Sequence, residues 1–211
     1  MRTDLDKRAP RTLAVIDPIK ITLVNVEEDF HQEIETPLFP KNKELGSRKI
    51  SLTKHIYIDR SDFSEVDQPE FFKLSPNQEV GLKYCGVLKF VAAKYDPNTK
   101  NLSELVCEYS TEAKITKGRI HWISSKDAQR VEARIYDYLF THDEPLSLEN
   151  PFDALNPNSL IVKDHALVNK NILANIKHLD NFQFERVGYF VCDYDTNPSL
   201  GRYVFNLTIN L

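Results

Sequence analysis

The sequence predicts an all-β protein, on three observations. Apolar and polar residues alternate with a period of two along much of the chain, the spacing at which a strand turns one face to a core. The alternating runs are short and numerous. Turn-forming residues punctuate them, at Asp17-Pro18, Phe39-Pro40-Lys41-Asn42, Ser75-Pro76-Asn77, Asp96-Pro97-Asn98, Asn156-Pro157-Asn158 and Asn197-Pro198, where Pro fixes φ and Asn or Asp caps its own backbone. Many short strands separated by turns imply a barrel or a sandwich.

Taken in order, the first strand is expected over residues 19–26. Next, Ile50, Leu52, Ile56 and Ile58 share one face, while Lys49, Ser51, Thr53, His55 and Tyr57 share the other. Lys54 alone breaks this pattern, so one half-buried strand or a tight hairpin is expected. Further strands are expected at 80–92, 105–109, 120–123, 131–136, 182–192 and 203–209. Ile172, Leu173 and Ile176 stand at helical spacing, which predicts a short helix over 169–180. Residues 142–158, rich in Pro, Asn and acidic side chains, read as a long surface loop.

A chain of 211 residues, 41% hydrophobic and 27% charged, can bury one large core or two small ones. Two are preferred, divided near residues 117–130, where a strand gives way to the polar run Ser124-Ser125-Lys126-Asp127. No apolar run is long enough to span a bilayer, and the opening residues lack a signal-like apolar stretch, so a cytosolic location is expected. Cys85, Cys107 and Cys192 are odd in number, far apart and set in apolar runs, which predicts reduced, buried thiols. Neither Cys nor His spacing suggests a metal site. His31, His55, His142, His165 and His178 are scattered.

The net charge of -4 excludes a general polyanion binder, which carries a basic surplus to neutralise phosphates. Any contact with nucleic acid must be local. Cations do cluster, at Lys7, Arg8 and Arg11, at Lys41, Lys43, Arg48 and Lys49, and at Lys114, Lys117 and Arg119; as bare residues they read as solvated surface. Trp122 and His121 read as a packed strand with a satisfied imidazole, and Asp17 as a turn former. Phe71-Phe72 fits a stacking platform and a barrel core equally well. There is no G-x-x-x-x-G-K-[ST], G-x-G-x-x-G or G-x-S-x-G. With 6 Gly in the chain, phosphate-cradling loops have little to be built from.

The run Gln183-Phe184-Glu185-Arg186-Val187-Gly188-Tyr189-Phe190 sets an amide, a carboxylate and a guanidinium, groups suited to a nucleobase edge, into an otherwise apolar strand. With Ala9-Pro10-Arg11, Ala14-Val15-Ile16-Asp17-Pro18, Gly46-Ser47-Arg48-Lys49, Tyr57-Ile58-Asp59-Arg60-Ser61-Asp62-Phe63, Gly118-Arg119-Ile120-His121-Trp122 and Asn156-Pro157-Asn158-Ser159-Leu160, it resembles the C-terminal anticodon-binding region of the glutaminyl-tRNA synthetase family, over residues 9–211. The resemblance implies two stacked β-barrels with one or two short helices, assigned here to residues 9–120 and 121–211. The last strand would return to the first barrel, and a discontinuous division is the alternative.

By the same resemblance the partner is tRNA specific for glutamine. Arg11, Gln183 and Arg186 would hold the middle anticodon base, a uracil, and Glu185 would orient them or contact the neighbouring nucleotide. Lys73 would meet the third base, and Lys83 stands near the first. The chain departs from the bacterial pattern in having Gly81 and Phe72 where basic residues often stand, which implies weak first-base discrimination. Strict alternation puts Gln183 and Glu185 on one strand face and Arg186 on the other, so an irregularity is expected within 184–187. The His-Ile-Gly-His and Lys-Met-Ser-Lys-Ser signatures are absent from the sequence. The resemblance therefore assigns ATP, Mg and glutamine to a catalytic domain outside this chain, which would be inactive alone. Two alternatives stand beside this reading: the anticodon-binding region of a glutamyl-tRNA synthetase, and a non-catalytic protein-interaction β module.

Overall fold

The structure, a computed structural model, describes residues 2–112 and 116–211. A helix, α1 (Arg2–Arg8), leads into a strand bent in two, β1 (Arg11–Thr12) and β2 (Ala14–Val15). There follow β3 (Pro18–Leu23), a hairpin of β4 (His31–Pro37) and β5 (Ser47–Thr53), then β6 (His55–Asp59). The strands β7 (Val80–Leu82), β8 (Val87–Tyr95) and β9 (Leu102–Ser110) precede a second bent strand, β10 (Arg119–Ile120) and β11 (Trp122–Ser124). The chain ends with β12 (Ala128–Tyr136), β13 (Leu160–Asn169), β14 (Asn181–Phe184), β15 (Gly188–Cys192) and β16 (Val204–Asn210).

Apart from β4 and β5, which pair as a two-stranded sheet of their own, these strands form two sheets, ordered β10-β7-β8-β9-β3-β6-β11 and β1-β14-β15-β16-β12-β13-β2. The outer strands of each order are consecutive in the chain, meeting at His121 in one sheet and at Leu13 in the other. Each sheet therefore nearly closes on itself, and closure removes the exposed edges that invite aggregation. The register slips between Val131 and Ala133, and again along β8 and β9, as curved sheets require.

Segment 11–16 explains how the barrels join. Leu13 and Val15 enter the core of the first barrel, among Ile19, Ile56, Leu105 and Trp122. Ala14 and Ile16 enter the core of the second, among Phe182, Phe184, Phe190 and Phe205. A strand buried on both faces must be apolar at every position, and Leu13-Ala14-Val15-Ile16 is. The second barrel thus contains the first strand of the chain. The last strand was expected to return to the first barrel, but β16 lies between β15 and β12. Its Phe205 ring packs edge-on against Phe182 and Phe184 in the second core.

The all-β class holds, with local corrections. The alternation over 50–58 breaks at Lys54 into β5 and β6, which belong to different sheets, while Ile50, Leu52, Ile56 and Ile58 are all buried as expected. The stretch 80–92 is a hairpin. The helix expected over 169–180 is a single 3-10 turn, Lys170–Leu173. Asn169 caps it through a 3.0 Å bond from Asn171 N, and Asp180 takes the amide of Lys177. An isolated short α-helix is costly to nucleate, and Leu173 is buried without one. Residues 142–158 form the expected surface loop, with 3-10 turns at Pro145–Ser147 and Pro151–Ala154. Cys107 and Cys192 are buried and Cys85 half-buried, all unpaired.

Candidate nucleic-acid interface

The run 183–190 forms a hairpin whose turn faces the first barrel. Phe184 pairs with Gly188, so Glu185, Arg186 and Val187 make the turn, closed by a 3.0 Å bond from Val187 N to Phe184 O. The expected irregularity is therefore a strand end. Arg186 has φ +67, a left-handed conformation that costs a non-glycine residue about 1–2 kcal/mol. The turn releases Arg186 from the strand's alternation and carries its guanidinium across the seam between the barrels.

Two buried carboxylates organise that seam. Glu185, 1% exposed, accepts from Arg48 Nη2 at 2.5 Å, from Tyr84 Oη at 2.7 and 2.9 Å, and from Lys83 Nζ. Burial raises its pKa, but the Lys83 and Arg48 cations outweigh that and hold the carboxyl below its ordinary value. Asp62, also 1% exposed, accepts from Arg186 Nη1 at 3.0 Å and Nη2 at 3.3 Å, and pairs with Lys73 Nζ at 3.0 Å. His121 Nδ1 accepts a second bond from Arg186 Nη1 at 3.0 Å. Burial pushes the His121 pKa down to about 4, so the ring is neutral at pH 7 and its Nδ1 is free to accept.

Arg11 and Gln183 are register partners in the parallel pair β1–β14, so their side chains share a face. Both line a cavity of about 370 Å³ with Asp6, Lys41 and Tyr189. Asp6 on α1 accepts from Arg11 Nη2 at 3.0 Å and Lys41 Nζ at 2.5 Å, and those bonds, Lys41 foremost, lower its pKa. Among the described residues, Gln183 Oε1, Arg48 Nε and Nη1, and His121 Nε2 are buried polar atoms without a partner. Such atoms are rare unless something else completes them.

The structure thus joins Arg11 to Gln183, Lys83 to Glu185, and Arg186 to Lys73 through Asp62. Among the described residues, no hydrogen bond or ion pair links Arg186 to the Arg11–Gln183 pair. Sequence reading passed over Asp62, Tyr84, Asp6 and the pairing role of His121. Asp62 and His121 did carry a signal, since each stands in a run quoted for the resemblance. Trp122 is buried, with Nε1 donating to Lys83 O at 2.9 Å. Phe71 is half-buried and Phe72 is 49% exposed, so neither belongs to a barrel core. A Cβ at Gly81 would lie 2.8 Å from Thr116 Oγ1 and 2.9 Å from Cγ of Arg119, its register partner. Arg8 and Lys49 pair with Asp4 and Glu33 at the surface. Lys114 and the side chain of Lys43 lie outside the described residues.

Two fused β-barrels with amide, guanidinium and ammonium groups drawn to their seam define an all-β double-barrel domain. Residues 9–110 match the family model described as tRNA synthetases class I (E and Q), anti-codon binding domain, and residues 119–193 match a second model so described. The chain belongs to this family. Within it, similar proteins are glutamine–tRNA ligases: that of Ralstonia pickettii is 39% identical over 226 residues, and a probable one of Dictyostelium discoideum is 39% identical over 214. That of Haemophilus influenzae is 36% identical over 220 residues. Each alignment covers 100% of this chain but only 38%, 27% and 38% of those relatives, respectively.

Proposed function

We propose that this chain is the C-terminal, RNA-reading part of a cytoplasmic glutamine–tRNA ligase and recognises the anticodon loop of tRNA specific for glutamine. The observation that carries this reading is the pairing of Arg11 with Gln183 over one cavity, with the Gln183 amide oxygen left unpartnered. Uracil presents an N–H donor between two carbonyl acceptors. An amide oxygen meets the donor, and guanidinium N–H groups meet the acceptors.

Arg11 and Gln183 take the middle base in this reading, joined by Arg186 from the turn. Lys73 serves the third base and Lys83 the first. Glu185 orients its neighbours rather than touching RNA, because it is enclosed by Arg48, Lys83 and Tyr84. Attachment of glutamine, with ATP and Mg, belongs to the catalytic domain of the longer protein. Contacts at the anticodon help to place the distant acceptor end there.

Binding of the chain to anticodon stem-loop transcripts tests this. Arg11→Ala should cost roughly 1–3 kcal/mol of the preference for uracil over cytosine at the middle position. Lys49→Ala should weaken every transcript alike, if any. Log K should fall with log salt by about 0.7–0.9 per phosphate neutralised. An unchanged middle-base preference in the Arg11 variant refutes the pocket. Equal affinity for glutamine and glutamate anticodons would refute the glutamine reading, a preference for glutamate anticodons would point to the glutamate enzyme, and negligible affinity at low salt would point to a protein-interaction module.

A further inference from the structure

We infer that Asp62 is a positioning residue that couples recognition of the middle and third anticodon bases, an inference that rests on the tRNA reading above. The two side chains assigned to those bases come from different barrels, Arg186 from the second and Lys73 from the first. One carboxylate, 2% exposed, holds both: Oδ1 lies 3.0 Å from Lys73 Nζ and 3.3 Å from Arg186 Nη2, and Oδ2 lies 3.0 Å from Arg186 Nη1.

The backbone makes Asp62 and Lys73 a single unit. Leu74 N donates to Asp62 O and Ser64 N to Leu74 O, each at 3.0 Å, and Lys73 Nζ also donates to Ser61 O at 2.9 Å. Asp62 itself ends a 3-10 turn, Arg60–Asp62, capped by Asp59. The backbone that carries the carboxylate is therefore fixed, while the position of the carboxylate itself is set by the two cations it holds.

What it leaves free matters as much as what it holds. The Arg186 and Lys73 side chains are 31% and 32% exposed, so each is gripped on its inner side and open on its outer side. Arg186 spends both Nη1 protons on Asp62 and His121, and one Nη2 proton on Asp62. Its Nε–H and remaining Nη2–H form a side-on fork, the two-donor edge with which arginine reads a base. Removing Lys73 would let Asp62 move towards Arg186 and re-aim that fork. Removing Arg186 would likewise release Lys73. Two cations sharing one buried acceptor cannot contribute independently.

The test is a double-mutant cycle on the 211-residue chain, using Arg186→Ala, Lys73→Ala and the double variant. Each binds stem-loop transcripts carrying the glutamine anticodon, the same with its middle base replaced, and the same with its third base replaced. The expected result is that the loss in the double variant departs from the product of the single losses by about fivefold or more. Asp62→Asn should lower selectivity at both positions together and abolish that departure. Multiplicative losses, or an Asp62→Asn variant that changes selectivity at one position or neither, overturn the coupling. If Asp62→Asn does not fold, the cycle still decides, because both its sites are partly exposed. Failure of the tRNA reading looks different: neither single variant would then change any base preference.

Discussion

Glu185→Gln is the most informative perturbation of the seam. It removes a charge while keeping the shape of a group that holds three side chains from across the molecule. Lys83, 27% exposed, can turn to water, and its share is under about 1 kcal/mol. Tyr84 can still donate to an amide oxygen. Arg48 cannot escape: its side chain is 5% exposed, and Nε and Nη1 are already unpartnered. Leaving one member of a buried pair uncompensated costs about 3–5 kcal/mol, so this loss dominates. With a urea slope of about 2 kcal/mol/M, the midpoint should fall by about 2 M. Glu185→Gln with Arg48→Met removes both charges and should recover most of the loss. The depressed Glu185 pKa adds a pH signature: its stabilisation is present above the unfolded carboxyl pKa of about 4.3 and fades as pH falls through the lower folded value. Urea unfolding monitored by Trp122 fluorescence and by circular dichroism measures all of this. A cost below about 1 kcal/mol for Glu185→Gln would refute the reasoning.

Two further outcomes follow from the same geometry. His121 is held neutral, its pKa moved from 6.5 to about 4. Acid therefore protonates the unfolded chain first, and stability should fall between pH 6.5 and 4 by at most about 3 kcal/mol; His121→Gln should flatten that part of the profile. Gly118 packs against the backbone of the segment that carries Lys73, and a Cβ there would lie 1.8 Å from Phe72 O. Gly118→Ala should cost about 1–3 kcal/mol, read as a lower Tm, and should weaken third-base selectivity more than middle-base selectivity.

Much of the fold was legible because period-two alternation is a local property. The faces of Ile50, Leu52, Ile56 and Ile58 could be assigned from spacing alone, and the one exception, Lys54, marks the break between two strands. The 3-10 turn at Lys170–Leu173 was misread as a helix because Ile172, Leu173 and Ile176 satisfy either geometry once a core lies beside them. Helix α1 was missed for the opposite reason. Its one buried residue, Leu5, sets no period, and it packs on Ala9 and Tyr189 through the tertiary fold.

For the site, the residue types were legible and their partners were not. Gln183, Glu185 and Arg186 stand out as polar groups in an otherwise apolar strand-like run, whereas Arg11, Lys73 and Lys83 are singled out by the family resemblance. That Arg186 meets Asp62 across 124 residues, and Glu185 meets Arg48 across 137, follows only from closure of both barrels around segment 11–16. By itself, then, the sequence determined which side chains face inward and where the chain turns, since alternation and turn chemistry act between near neighbours. Only the tertiary structure decided which carboxylate holds which cation, because burial makes a charge seek whatever opposite charge the closed barrels bring within reach.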